Sequence, residues 1–350
     1  MFTIDKTKPV LVTGASGYVA SWIVKQLLDQ GYTVRGTVRS LEAKDRYRHL
    51  ERAAAAGPGS FQPVAADLLV KGAFDAAAQG CEVVIHTASP FLGVGVEDPQ
   101  RQLIEPALAG TLNVLDAVQK AGSVKKVVLT SSIAAICGDN ADLQRIPQGI
   151  FTEADWNESS SARHQPYPYS KTLAERAAWT VAQGQDRWRL VTINPGFVMG
   201  PSLSPRVDST SIATLRDFLR GRFAWGVPAL AFGAVDVRDV AAAHLAAAFR
   251  ADAEGRHIVV SEGGSLLGIA QAIEQRFPGR YKLPRRTLPK ALAYVAGPGF
   301  GLSWRFIARN IGLPVAFDNT KSQTRLGLRY LPFAQTIQDH VEQLLADGLV

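Results

Sequence analysis

Tyr167 and Lys171 stand four residues apart in HQPYPYSKTLAERAAW, a spacing that sets a phenol and an ammonium on one face of a helix. A phenol with a pKa near 10 gives up its proton poorly at neutral pH. A neighbouring ammonium stabilises the phenolate, so Tyr167 can protonate an alkoxide as hydride reaches its carbon. Pro166 and Pro168 suit a helix start, where a missing N–H costs nothing. Tyr169 has no lysine four residues on and is assigned to packing or a pocket wall. Upstream, KKVVLTSSIAA offers Thr130, Ser131 and Ser132 at the end of a strand, the edge where open α/β sheets bind ligands. One of these hydroxyls can hold a substrate carbonyl against Tyr167. Periodicity alone does not separate Ser131 from Ser132; Ser132 is preferred.

A second constellation lies near the N-terminus. TGASGYVA places Gly14, Gly17 and Ala20 in a G-x-x-G-x-x-A spacing, with Ser16, Tyr18 and Val19 in the same turn. Diphosphate needs close backbone N–H donors; glycines allow the tight approach, and a helix N-terminus adds unpaired donors and a positive dipole end. The pattern sits between an expected strand and an expected helix, the context that makes it a dinucleotide site. The next strand ends VRGTVRS, with Arg39 where an NAD site usually has a carboxylate, and Lys44 and Arg46 just beyond. A guanidinium can grip a 2′-phosphate in two-pronged fashion, so NADPH is the expected cofactor. Asp67 in VAADLL could accept from the adenine amino group or cap a helix, with Leu68 beside the ring.

These groups need a scaffold. PVLVT (9–13), YTVRGTV (32–38), FQPVAA, EVVIHT, KKVVLTS and RLVTIN read as strands, with helical segments between them, among them YVASWIVKQLLDQ (18–30). Such alternation predicts an α/β fold, a doubly wound Rossmann-type parallel sheet covered on both faces. After Asn194 the rhythm gives way to helices and irregular connections. AVDVRDVAAAHLAAAFR reads as a helix and RHIVVS as a strand rejoining the sheet. The expected division is a nucleotide-binding domain over 1–194, with 234–261 returning to it. A smaller, mostly helical substrate lobe takes 195–233 and 262–350.

Composition narrows the classes. A 350-residue chain with 47% hydrophobic and 20% charged residues fits an ordinary globular protein. The net charge of +7 is scattered, without basic–aromatic interleaving, so no nucleic-acid partner is expected. Cys81 and Cys137 suggest neither a disulfide framework nor a metal site, which points to a reducing cytoplasm. The N-terminus passes almost directly into a strand, so no signal peptide is expected. No apolar run reaches the roughly 18 residues of a spanning helix, and stable membrane insertion is not expected. Ala291 to Trp304, ALAYVAGPGFGLSW, reads as helix, turn, helix. The expected state is a monomer or homodimer.

VTGASGYVASWIV, YTVRGTVRS, VIHTASPF, VVLTSSIAA, YPYSKTLAERAAW and NPGFVMGP, in this order, resemble the extended short-chain dehydrogenase/reductase family. Within it they are similar to the branch of dihydroflavonol reductase, cinnamoyl-CoA reductase and the yeast methylglyoxal/aldehyde reductases. VDVRDVAAAHL and the closing FDNTKSQTRLGLRYLPFAQTIQDHV extend the likeness. The resemblance implies a catalytic set of Ser132, Tyr167 and Lys171, with Tyr167 the proton donor and Lys171 on the nicotinamide ribose. It further implies that Thr87, Ala88 and Ser89 line the cofactor trough, that Pro195, Gly196 and Val198 pack near the nicotinamide, and that Ser211 touches the cofactor.

Two departures bear on substrate. HQPYPYSK lacks the Trp- and Cys-bearing signature of cinnamoyl-CoA reductases. Cys137 stands where dihydroflavonol reductases carry an Asn five residues past the serine. A general small-molecule aldehyde or ketone is therefore the expected substrate, in a pocket to which Phe91, Leu92, Ile133 and Phe197 could contribute. His86 is read as a hydrogen-bonded core residue, and His164 as either a pocket border or a surface loop. A nucleotide-sugar epimerase or dehydratase, an NADPH-binding sensor and a hydroxysteroid dehydrogenase are the competing readings.

Overall fold

A computed structural model describes residues 4–89 and 97–350; Phe91 and Leu92 lie outside the described residues. The first half alternates as its apolar runs predict. The strands are β1 (Val10–Thr13), β2 (Thr33–Val38), β3 (Ser60–Ala65), β4 (Val83–His86), β5 (Lys126–Thr130) and β6 (Arg189–Pro195). Between them run α1 (Tyr18–Asp29), α2 (Arg48–Ala55), α3 (Asp75–Ala78), α4 (Glu105–Ala121) and α5 (Pro166–Gln183). Then come β7 (Phe197–Met199), α6 (Thr210–Leu219), β8 (Val227–Pro228), β9 (Ala231–Asp236), α7 (Val237–Phe249) and β10 (Gly255–Val259). The chain closes with β11 (Glu262–Ser265), α8 (Leu266–Arg276), β12 (Thr287–Leu288), α9 (Lys290–Ala296), α10 (Trp304–Asn310), α11 (Thr320–Leu326) and α12 (Phe333–Ala346).

The main sheet has seven strands in the order β10-β6-β5-β4-β1-β2-β3, parallel throughout. Side chains alternate across a strand, and both faces are apolar. Val10 and Val12 pack with Ile23, Val24 and Leu27 of α1 and Val240 and Leu245 of α7. Leu11, between them, faces the other way with Val84 and Val127, under Val114 and Leu115 of α4. That two-sided burial is what the uniformly apolar strands require. The order reverses between β1 and β4, whose register sets Thr13 beside His86. Such a reversal opens a crevice at the carboxyl ends of the strands.

β10 joins the main sheet beside β6, as RHIVVS predicts. The preceding segment departs from expectation: Ala234 to Asp236 end a strand, and the helix starts at Val237. Asp236 caps it, its side chain accepting from Arg238 N at 2.7 Å. β9 lies in a second sheet, ordered β11-β9-β7, in a region read as helical and irregular. Its neighbours α6, α8 and α12 share a separate core built on Leu215, Phe218, Ile269, Ile273, Ile337 and Val341.

Candidate active site

The glycine turn closes the end of β1 against β4. Gly14 has φ +65, and a Cβ there would meet Ala88 Cα at 3.1 Å, so a side chain would fill the space the turn keeps open. Gly14 N donates to Thr37 Oγ1 at 2.9 Å, and Gly17 N to Gly14 O at 2.8 Å. No side chain caps α1 and no acidic residue stands in its first turn, leaving its donors and dipole for an anion. Thr13 Oγ1 accepts from the N–H groups of Thr87 and Ala88, both at 3.1 Å. Its own hydrogen therefore goes to His86 Nδ1, 2.8 Å away. His86 is buried, and burial, with Lys171 nearby, pushes its pKa down to about 3.

The other predicted cofactor residues lie on several different elements. Tyr18 Oη donates to Gly200 O at 2.5 Å, and Ser16 O accepts from Arg206 at 3.1 Å. Val19 is half-buried in the same helix turn, while Arg39 and Lys44 lie exposed just past β2. Asp67 Oδ1 accepts from Leu69 N at 2.8 Å, capping a turn rather than a helix. Leu68 sits where a Cβ on Gly110 of α4 would be, 2.4 Å away. Pro195 ends β6 and Gly196 N donates to Val259 O at 3.0 Å. Val198 lies in β7. Ser211, buried in α6, bonds Ser209 at 2.9 Å.

The three hydroxyls after β5 are separated by their partners. His244 of α7 presents Nδ1 to Val240 O at 2.7 Å, so that nitrogen carries the proton and Nε2 accepts from Thr130 Oγ1, also at 2.7 Å. Ser131 donates to Glu175 Oε2 at 2.5 Å. Ser132 Oγ accepts from Ala134 N at 3.1 Å, and its own hydrogen is not given to another described residue. α5 packs against the 3-10 turn Ile133–Ala135 that Ser132 begins. Ile133 and Cys137 pack in the same small cluster. Cys137 donates to Asp139 O at 3.3 Å. Phe197 packs against Phe232, at a centroid separation of 5.4 Å.

On α5, Lys171 Nζ lies 6.0 Å from the Tyr167 ring centroid. Lys171 lines a small, narrow cleft with His86, Ala88, Ser89 and Glu175. The Tyr167 side chain is 36% exposed, yet burial around its hydroxyl pushes the phenol up to about 12, opposite to the lowering expected from Lys171. Burial likewise pushes Lys171 down to about 8, and the Glu175 charge opposes that fall. Glu175 continues the same helix face one turn beyond Lys171, a position the sequence reading passed over. Its carboxylate is buried and accepts from Arg256 Nε at 2.6 Å, Asn194 Nδ2 at 2.8 Å and Thr192 Oγ1 at 3.2 Å. Helical spacing from Tyr167 could have found it; its Arg256 partner, on β10, carries no local signal.

The entry to α5 is also fixed. Gln165 has φ 55, the only positive value among the described residues that are not glycine. Such backbone is costly for an L residue, and the side chain is correspondingly tied down. Gln165 Nε2 donates to Gly138 O and, at 2.8 Å, to Asp139 Oδ1. Asp139 is buried and also accepts from His164 at 2.9 Å, Arg309 at 2.5 Å and Asn310 at 2.7 Å. Burial alone would raise its pKa, but Arg309 and these donors hold it below the usual carboxylate range. His164 is therefore an interior residue, not a surface one.

A glycine turn at the reversal point of a seven-stranded parallel sheet gives the chain a Rossmann-type architecture. The family model for the NAD dependent epimerase/dehydratase family matches residues 10–261, and the chain belongs to that family, in its extended short-chain dehydrogenase/reductase group. It is 39% identical to the cinnamoyl-CoA reductase CAD2 of Medicago truncatula over 96% of this chain and 95% of that one. It is 34% identical to a putative NADPH-dependent methylglyoxal reductase of Candida albicans over 98% of this chain and 100% of that one. Among solved structures, the Candida albicans Gre2–NADPH complex superposes with a TM-score of 0.77 at 33% identity, covering 97% of this chain and 99% of that one.

Proposed function

We propose that this protein reduces an aldehyde or ketone with NADPH. The carrying observation is the Lys171 ammonium beside the Tyr167 ring, on a helix that faces the one hydroxyl after β5 whose hydrogen is not spent, that of Ser132. The relatives named for NADPH-dependent reduction support the cofactor and the reaction class. Gly14, Gly17 and the N-terminus of α1 would hold the diphosphate, and Arg39 the 2′-phosphate. Thr87, Ala88, Ser89, Pro195, Gly196 and Val198 would line the trough, and bound NADPH would supply the hydride.

Ser132 donates to the substrate oxygen and aligns it, and the Tyr167 hydroxyl delivers its proton there, leaving an alcohol and a phenolate. Lys171 stabilises that phenolate and holds the nicotinamide ribose. Cys137, bonded to Asp139 O, is engaged with the main chain instead of reading a hydroxylated ring, which favours a simple carbonyl over a dihydroflavonol. No helix among the described residues is long and apolar enough to cross a membrane.

NADPH and NADH oxidation against aldehydes, ketones, dihydroflavonols and cinnamoyl thioesters tests this reading. Turnover of simple carbonyls with NADPH preferred is expected, and Arg39→Ala should lower that preference by about tenfold or more. No turnover of any carbonyl despite NADPH binding would overturn the proposal; an unchanged ratio would remove Arg39 from the phosphate.

The lysine also sets a pH limit. Its pKa is depressed to about 8, so the ammonium is present below that value and lost above it. Carbonyl reduction should therefore decline as pH rises through about 8. Glu175→Gln removes the charge that opposes the depression, and the declining limb should move to lower pH. A limb that stays in place would mean that Glu175 does not act on Lys171.

A further inference from the structure

The hairpin of α9, the turn Gly297–Phe300 and α10 buries only a narrow stripe. Ala293, Ile307 and Ile311 pack with Leu230, Leu302 and Phe306. Leu292, Val295, Phe300 and Trp304 are left 50, 82, 73 and 68% exposed. Trp225, 86% exposed, belongs to the same neighbourhood. β8, two residues beyond it, pairs with β12 just before α9, and a Cβ on Gly226 would meet Leu288 at 2.6 Å. Single exposed apolar residues are ordinary; large ones gathered on one hairpin and the strand beside it mark an interaction surface.

Charge narrows the partner. Between Gly279 and Asn310 the chain has seven lysines and arginines and no carboxylate. Arg280, Lys282, Arg285, Arg286 and Arg305 are exposed. Lys290 donates to Ala308 O at 2.8 Å and so ties α9 to α10. Carboxylates from neighbouring elements are engaged: Asp217 with Arg222 at 3.0 Å, Asp139 and Asp142 with Arg309 at 2.5 and 2.6 Å. A two-fold contact with a second copy would press this cationic stretch against itself. An apolar crest of Trp, Phe and Val in a carboxylate-free stretch with five exposed Lys and Arg residues instead matches the boundary between acyl chains and anionic headgroups.

We propose that this hairpin docks the protein on an anionic bilayer surface. The crest enters the headgroup boundary while the cations meet lipid phosphates and carboxylates. The protein lies on the membrane without spanning it: α9 and α10 have seven residues each, against the roughly 20 a span needs.

Co-sedimentation of the full chain with mixed phosphatidylserine–phosphatidylcholine vesicles tests this, with pure phosphatidylcholine as control. Binding is expected only to the anionic vesicles and should weaken with salt. Arg285→Glu with Arg286→Glu should lower partitioning about tenfold or more. A triple serine variant at Val295, Phe300 and Trp304 should lower it too; all these positions are exposed, and unchanged thermal melting and NADPH binding would show intact folding. Failure to sediment with anionic vesicles would overturn the proposal. So would salt-independent binding, or a dimer in light scattering that the triple variant abolishes. A raised KM in the triple variant with unaltered vesicle binding would assign the crest to substrate entry instead.

Discussion

Tyr167→Phe is expected to cut carbonyl reduction by about 10²–10⁴-fold, the usual worth of a positioned proton donor, while NADPH affinity stays within a few-fold of wild type. The phenylalanine keeps the ring near Lys171 and removes only the hydroxyl, so packing at the start of α5 is preserved. Without that proton the developing oxyanion must draw on water, in competition with hydride return. Steady-state kinetics with a good aldehyde, alongside NADPH titration by fluorescence, separates the two effects. Turnover retained within tenfold would remove Tyr167 as the donor. An equal loss of NADPH binding would make the defect one of cofactor seating.

The second large effect concerns stability. Arg256→Met should destabilise the fold by about 3–5 kcal/mol, because it strands the Glu175 carboxylate in the interior. The pair is dry, with side-chain exposures of 8% and 0%. Arg256 also donates to the carbonyls of Glu153 at 2.9 Å and Asp155 at 2.5 Å, and its guanidinium lies 3.9 Å from the Trp156 ring centroid. Restoring charge balance with Glu175→Gln should recover part of the loss, since the amide oxygen still accepts from Ser131. Denaturant melts of both proteins measure this. A single-variant cost below about 1 kcal/mol would show that water or a rearranged donor reaches Glu175.

The main sheet was readable because its signals are local. Short, mostly apolar runs and a glycine turn at a strand–helix junction are each specified within a dozen residues. The second sheet is not of that kind. β11 is Glu262-Gly263-Gly264-Ser265, with no β-branched residue and no alternation. It is a strand because β9 supplies its partners and because Gly264 leaves room for the Phe232 ring, 2.6 Å from where a Cβ would stand. The hydroxyls after β5 show the same limit. Their spacing makes Ser131 and Ser132 equivalent; the distinction comes from Glu175, 44 residues later in the chain. Glu175 was itself within reach of helical periodicity, as the third residue on the face of Tyr167 and Lys171. The Asp139 cluster was not, since its members come from the loop after β5, the entry to α5 and the far end of α10.

That cluster constrains how such proteins can be recombined. Asp139 fastens Gln165, in its left-handed backbone two residues ahead of Tyr167, to Arg309 and Asn310 near the C-terminus. A chimaera that takes its C-terminal helices from one relative and its nucleotide-binding half from another therefore inherits half of a joint. Unless the loop around Asp139 and the Gln165 turn travel with α10, the graft can fold as two sound pieces and still hand the tyrosine helix a loosened hinge. Breeders of new substrate specificity in this scaffold would do well to treat 139, 165 and 309–310 as a single heritable unit.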